Sequence, residues 1–214
     1  MHSADAVLPR SPSKTHADDP RPVLHLLVLY FSYLGHTRKV AERIGARLGR
    51  RGHNVLVLDV QHLSPIARIA GYDAIVMGAA VRSSAHAKEI ARFIERHKAL
   101  LHHVPTLFYS VGLSIASTST DGPAVAGLAA RDLFSKTGFT PTRTELVAGA
   151  LSYTKYNFVL RFFMKRLATH LGLDTDTSKD WEYTDWDAVD AFTDAFIEGA
   201  EERKTPLLYY RTIS

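Results

Sequence analysis

The chain has 214 residues, 46% of them hydrophobic and 22% charged, the balance of a single globular domain able to bury a core. It has no cysteine, which excludes disulfides, thiolate metal sites, iron–sulfur clusters and cysteine nucleophiles, and its formal net charge of +4 favours anionic partners without choosing among them. No apolar run approaches the roughly 20 residues that cross a bilayer, and the first residues lack the apolar stretch of a secretory leader, so a soluble or peripherally bound cytoplasmic protein is expected.

Residues 1–22 are rich in Pro, Ser, Asp and His with no apolar period and read as a mobile tail; the folded domain is expected over 23–203, with a second tail over 204–214. Val23 to Phe31 is a nearly unbroken apolar run, as in a strand buried on both faces, and it ends in a polar turn. Arg38 to Arg51 follows with Val40, Ala41, Ile44 and Leu48 at helical spacing, stopped by Gly52. Strands are predicted at 54–60, 72–80, 105–111 and, with a polar start, 142–151. Helices are predicted at 86–101, with Ile90, Phe93, Ile94 and His97 on one side, and at 122–136. The last helix starts at Thr184 or Asp185, whose side chains can cap it, and turns Val189, Phe192, Phe196 and Ile197 inward. This alternation predicts a doubly wound α/β domain, a five-stranded parallel sheet with helices on both faces. Ligands then sit at the carboxyl ends of the strands, where the winding reverses. Residues 152–182 are too many for an ordinary connection and read as a long insertion before the last helix.

The strongest chemical signal is the loop Ser32-Tyr33-Leu34-Gly35-His36-Thr37 between the first strand and first helix. Amides at a helix start have no intrahelical partner, the helix dipole adds positive potential, and the hydroxyls of Ser32 and Thr37 can donate to phosphate oxygens while Gly35 lets the backbone curl. The loop lacks both the Lys-Ser/Thr ending of a nucleoside-triphosphate loop and the three spaced glycines of a dinucleotide site, so a monophosphate fits better. On spacing alone, Ser32 and Thr37 could equally be simple helix caps. Val28 through Ser32, Gly35, Thr37 and Ala41 to Ile44 together resemble the flavodoxin signature. The resemblance implies flavin mononucleotide (FMN) as cofactor, its phosphate contacted by Ser32, Tyr33, Leu34, Gly35, His36 and Thr37. It also implies that the loops after the third and fourth strands, with Ala79, Ala80, Val81 and Arg82 and with Ser110, Val111, Gly112 and Leu113, flank the flavin ring through backbone amides. Arg82 would favour an anionic reduced flavin, unless it is an ordinary solvated arginine.

Gly149-Ala150-Leu151-Ser152-Tyr153, Tyr156, Arg161-Phe162-Phe163-Met164-Lys165, Thr175-Asp176-Thr177-Ser178-Lys179 and Tyr183-Thr184-Asp185-Trp186 together resemble the bacterial menaquinone-dependent protoporphyrinogen oxidases, a flavodoxin-like family with a long insertion before its last helix. The chain departs from that pattern at Ser83 and Ser84 and lacks a proline after Tyr153. The resemblance implies an enzyme of heme biosynthesis that oxidises protoporphyrinogen IX on FMN and passes electrons to a quinone, with no catalytic side chain and no nucleic-acid partner. A flavodoxin-type electron carrier and an NAD(P)H:quinone reductase are the alternatives. A helix is predicted from Phe158 to Leu173, carrying Phe162, Phe163, Leu167 and Leu171 beside Arg161, Lys165, Arg166 and His170. Either it docks on an anionic membrane, or Arg161, Lys165 and Arg166 receive the substrate's carboxylates, or its apolar side packs on the domain. Thr184 with Asp187 resembles a capping pair, and Trp186 reads as a packing residue. Asp174 and Asp176, or His97, His102 and His103, offer too few ligands for a metal.

Overall fold

A computed structural model describes residues 21–63, 69–82, 85–118 and 122–212. The elements in chain order are β1 (His25–Phe31), α1 (His36–Arg50), β2 (Asn54–Asp59), β3 (Ala74–Arg82), β4 (Ala85–His86), α2 (Lys88–Leu101), β5 (Thr106–Gly112), α3 (Gly122–Thr137), β6 (Arg143–Ala148), β7 (Ala150–Leu151), α4 (Phe158–Leu171), β8 (Trp181–Glu182) and α5 (Trp186–Thr212). Five strands pair in parallel in the order β2-β1-β3-β5-β6, and the short β4 pairs antiparallel with the end of β3. The expected doubly wound sheet is therefore present. Its order reverses between β1 and β3, which places the crevice for a ligand at the carboxyl ends of β1, β3 and β5.

The central strands read as continuous apolar runs because both of their faces are covered. Leu26, Val28, Val76, Leu107 and Tyr109 meet Val40, Ile44 and Leu48 of α1 and Val189, Phe192, Phe196 and Ile197 of α5 on one side. On the other, Leu27, Leu29, Ile75, Met77 and Phe108 pack with Ile90, Phe93 and Ile94 of α2 and Leu133 of α3. His97 is half-buried and lies against the Phe93 ring. Arg43 and Arg47 of α1 and Arg51 at its C-terminal cap pair with Asp190, Asp194 and Glu198 of α5, binding the two helices along their outer edge.

Three sequence expectations need adjusting. The fifth predicted strand is two elements, because at Gly149 the chain leaves β6 and forms β7, whose partner is β8 at the far end of the insertion. The last helix continues to Thr212, past the expected boundary at 203. Its cap is Asp185, whose carboxylate accepts from the Ala188 amide at 2.9 Å, whereas the Thr184 hydroxyl is committed to the Ala148 carbonyl at 2.6 Å. The expected tail 1–22 and the departures at Ser83 and Ser84 lie almost wholly outside the described residues.

Candidate functional site: a cleft at the carboxyl edge of the sheet

Gly35 is the N-cap of α1 and sits at φ 94°, left-handed backbone that glycine adopts without the strain a Cβ would bring. No side chain caps the helix, and no acidic residue stands in its first turn. The Ser32 hydroxyl instead accepts from the Gly35 amide at 3.0 Å, tightening the loop on itself. The helix-start amides are thus left without a side-chain cap, and this fits a phosphate better than it fits a plain capping turn. Thr37 is buried, and the Tyr109 hydroxyl donates to its carbonyl at 3.3 Å across the sheet. Tyr109 can take that path because Gly78 has no side chain; a Cβ there would lie 1.8 Å from the tyrosine ring.

His36 fastens the same loop to the start of α5. The Thr184 hydroxyl gives its proton to the Ala148 carbonyl, so it accepts from His36 Nε2–H at 2.7 Å. Burial lowers the pKa of His36 and outweighs the opposing pull of Glu182, which lies 3.8 Å from Nδ1. Lys39 of α1 pairs with Glu182 at 2.7 Å, and the Trp186 indole donates to the same carboxylate. Burial works against a charged Glu182, yet these two donors hold its pKa below the usual range.

Beside the loop opens a cavity of about 270 Å³. Ser32, Tyr33, Leu34, His36 and Thr37 line one end; Ala80, Val81 and Arg82 form one wall and Val111, Gly112 and Leu113 the other. Eleven of the fourteen residues expected to bind the cofactor are thus brought together around one cavity. Gly35 stands in the loop as its turn. Ala79 and Ser110 do not reach the cavity: both are fully buried inside the sheet, because alternate residues of a strand point to opposite faces. The Arg82 guanidinium lies over the Tyr33 ring, 5.1 Å from its centre, and no carboxylate is among the lining residues.

Five further lining residues follow β6: Gly149 at the bend, Ala150 of β7, and Tyr156, Leu160 and Met164 of the insertion. The inward face of α4 is Leu160, Met164 and Ala168, which pack with Leu151, Tyr153 and Tyr156 in a separate small core. Their spacing at i, i+4 and i+8 was visible, but the larger Phe162 and Phe163 dominate the pattern and turn the reading by about a quarter of the helix. Those two are 60% and 61% exposed, and Phe158 is 85% exposed, so the apolar side of α4 that carries them does not pack on the domain. Arg161 is not free to meet a substrate: its guanidinium donates to the carbonyls of Tyr153 and Tyr156, both at 3.1 Å, and so staples α4 to the preceding turn. Lys165 and Arg166 sit beside Phe162, Phe163 and Leu167 on the outer surface, away from the cavity lining. Among the described residues no group of three or more His, Asp or Glu side chains is placed to hold a metal.

Residues 27–178 match the family model for a flavodoxin domain. The chain belongs to the flavodoxin-domain family, and with it to the FMN flavoprotein oxidoreductases. Among curated proteins it is similar to protoporphyrinogen IX dehydrogenase [quinone] of Escherichia coli strain K12, at 30% identity over 78% of this chain and 91% of that one. It is also similar to the Leishmania major protein of the same name, at 28% identity over 79% of this chain and 73% of that one. Among solved structures, oxidised flavodoxin 1 of Bacillus cereus superposes with a TM-score of 0.51 at 13% identity, covering 81% of this chain and 97% of that one, a likeness of fold.

Proposed function

We propose that this chain oxidises protoporphyrinogen IX to protoporphyrin IX on FMN and passes the electrons to a quinone, as a step of heme biosynthesis. The observation that carries the proposal is that the cavity continues onto the insertion: Tyr156, Leu160 and Met164 line it together with the loop Ser32–Thr37 and offer apolar side chains for a macrocycle to lie against. Bound FMN would supply a two-electron acceptor, so the oxidation would run in successive two-electron rounds, each removing two hydrogens from the porphyrinogen and reducing one quinone to the quinol. The chain's own groups bind, orient and exclude water. Helix-start amides at His36 and Thr37, with the hydroxyls of Ser32 and Thr37, hold the phosphate ester. Backbone from Ala80 to Arg82 and from Val111 to Leu113 borders the ring.

The outer face of α4 suits the quinone's location. Phe158, Val159, Phe162, Phe163 and Leu167 are all exposed on one helix, next to Lys165 and Arg166. Burying a phenylalanine contributes about 1.5–3 kcal/mol, and cations near anionic headgroups add roughly 1 kcal/mol each. The protein would therefore rest on the cytoplasmic face of a membrane as a peripheral enzyme; no described helix is long and apolar enough to cross one. Anaerobic half-reactions test the reaction itself. Protoporphyrinogen IX should bleach the bound flavin and menaquinone should restore its colour, while NAD(P)H should act slowly if at all. Fast bleaching by NAD(P)H alone would assign the chain to the quinone reductases, and bleaching by neither would assign it to electron carriers.

A further inference from the structure

We infer that His86 is a positioning residue for the flavin site, holding the Ala80 carbonyl and the Ser110 hydroxyl so that the two strand ends bordering the cavity keep one geometry. The inference rests on the cavity being the FMN site. After Arg82 the chain doubles back as β4, with Val81 opposite His86, and this brings the imidazole to the buried side of the sheet edge. Its Nδ1 lies 3.3 Å from the Ala80 carbonyl and its Nε2 lies 3.2 Å from the Ser110 hydroxyl. The ring meets Phe108 edge-on at 5.2 Å, which fixes its plane.

The hydrogen bonds have one consistent direction. A carbonyl only accepts, so Nδ1 carries the proton; Nε2 then accepts from the Ser110 O–H. One neutral imidazole bridges β3 and β5. A cationic ring is disfavoured there, since burial lowers the His86 pKa to about 4. Ala80 and Val81 line the cavity on β3, as do Val111 and Gly112 on β5, whereas His86 and Ser110 do not. Among the described residues there are no cis peptides, so the Ala80 carbonyl and the Val81 amide point opposite ways in one plane, and pinning the first sets the direction of the second. Ser110, expected to touch the flavin, then acts through His86 from behind the wall.

The test uses full-length protein and two variants. His86→Phe keeps a ring against Phe108 and removes both hydrogen bonds; Ser110→Ala removes one. In His86→Phe the dissociation constant of oxidised FMN should rise at least fivefold, and the ratio of oxidised to reduced FMN affinity should change, shifting the midpoint potential. A tenfold change in that ratio corresponds to about 30 mV for a two-electron couple. Ser110→Ala should move both quantities in the same direction by less, and the double variant should add little beyond His86→Phe. A folded His86→Phe protein with wild-type FMN affinity and midpoint potential overturns the inference. If that variant does not fold, Ser110→Ala with both quantities unchanged does so instead. Failure of the wild type to bind FMN would strike at the FMN site and not at His86 alone.

Discussion

Gly78 and Tyr109 show how a residue inside the sheet reaches the start of α1. A methyl group at position 78 would overlap the Tyr109 ring, so the ring must leave the path that carries its hydroxyl to the Thr37 carbonyl. Overpacking of this kind typically costs about 1–3 kcal/mol, and the lost bond to a buried carbonyl adds about 1 kcal/mol. Gly78→Ala is therefore expected to lose roughly 3 kcal/mol in urea unfolding and to weaken FMN binding, whereas Tyr109→Phe loses only about 1 kcal/mol. Equal stability of Gly78→Ala and wild type would refute the contact. His86 gives a pH signature. It titrates near 4 when folded, against 6.5 in an unfolded chain, because burial strips water from the imidazolium. Between those values the unfolded chain binds a proton that the folded chain does not. The contribution is fully present above pH 6.5 and is lost as pH falls towards 4, amounting to about 3 kcal/mol at roughly 1.4 kcal/mol per pH unit. Unfolding of the wild type across that window should take up about one more proton than unfolding of His86→Phe; equal pH slopes would contradict this.

The elements divide into those that announce themselves in sequence and those that do not. The central strands β1, β3 and β5 are legible because burial on both faces leaves almost no polar residue in them, and the loop Ser32–Thr37 is legible because its hydroxyls and glycine stand between such a strand and an amphipathic helix. The strands β7 and β8 have two residues each and pair across a separation of 30 residues, so no period marks them. Helix α4 is legible as a helix but not in its orientation, because both of its sides are apolar. Its inward stripe was decided by Tyr153 and Tyr156, which supply the small core it packs on. Replacing Phe162 and Phe163 together by Ser should leave urea stability within about 0.5 kcal/mol, as for other exposed positions. The same change should weaken association with vesicles containing acidic lipid at least tenfold, measured by co-sedimentation. Unchanged association would remove the membrane role of this face.

Across the whole molecule the site draws on segments far apart in the chain. The loop at Ser32–Thr37 comes early, the apolar wall comes from residues 149–164, and the two are joined through His36, Thr184 and Ala148 and through Lys39 and Glu182. None of these long-range ties has a local sequence pattern, and Arg161, for which membrane, substrate and packing roles are all open in the sequence, is taken up by the Tyr153 and Tyr156 carbonyls. The whole account depends on helix-start amides and hydroxyls gripping a phosphate ester. Titration of the apoprotein with FMN and with riboflavin, which lacks the phosphate, measures that grip directly. Two or more hydrogen bonds to a charged group, at about 1.5–3 kcal/mol each, correspond to at least a hundredfold preference for FMN at roughly 1.4 kcal/mol per factor of ten. Binding of one FMN per chain with that preference is the predicted result; equal affinity for the two flavins, or binding of neither, would contradict it.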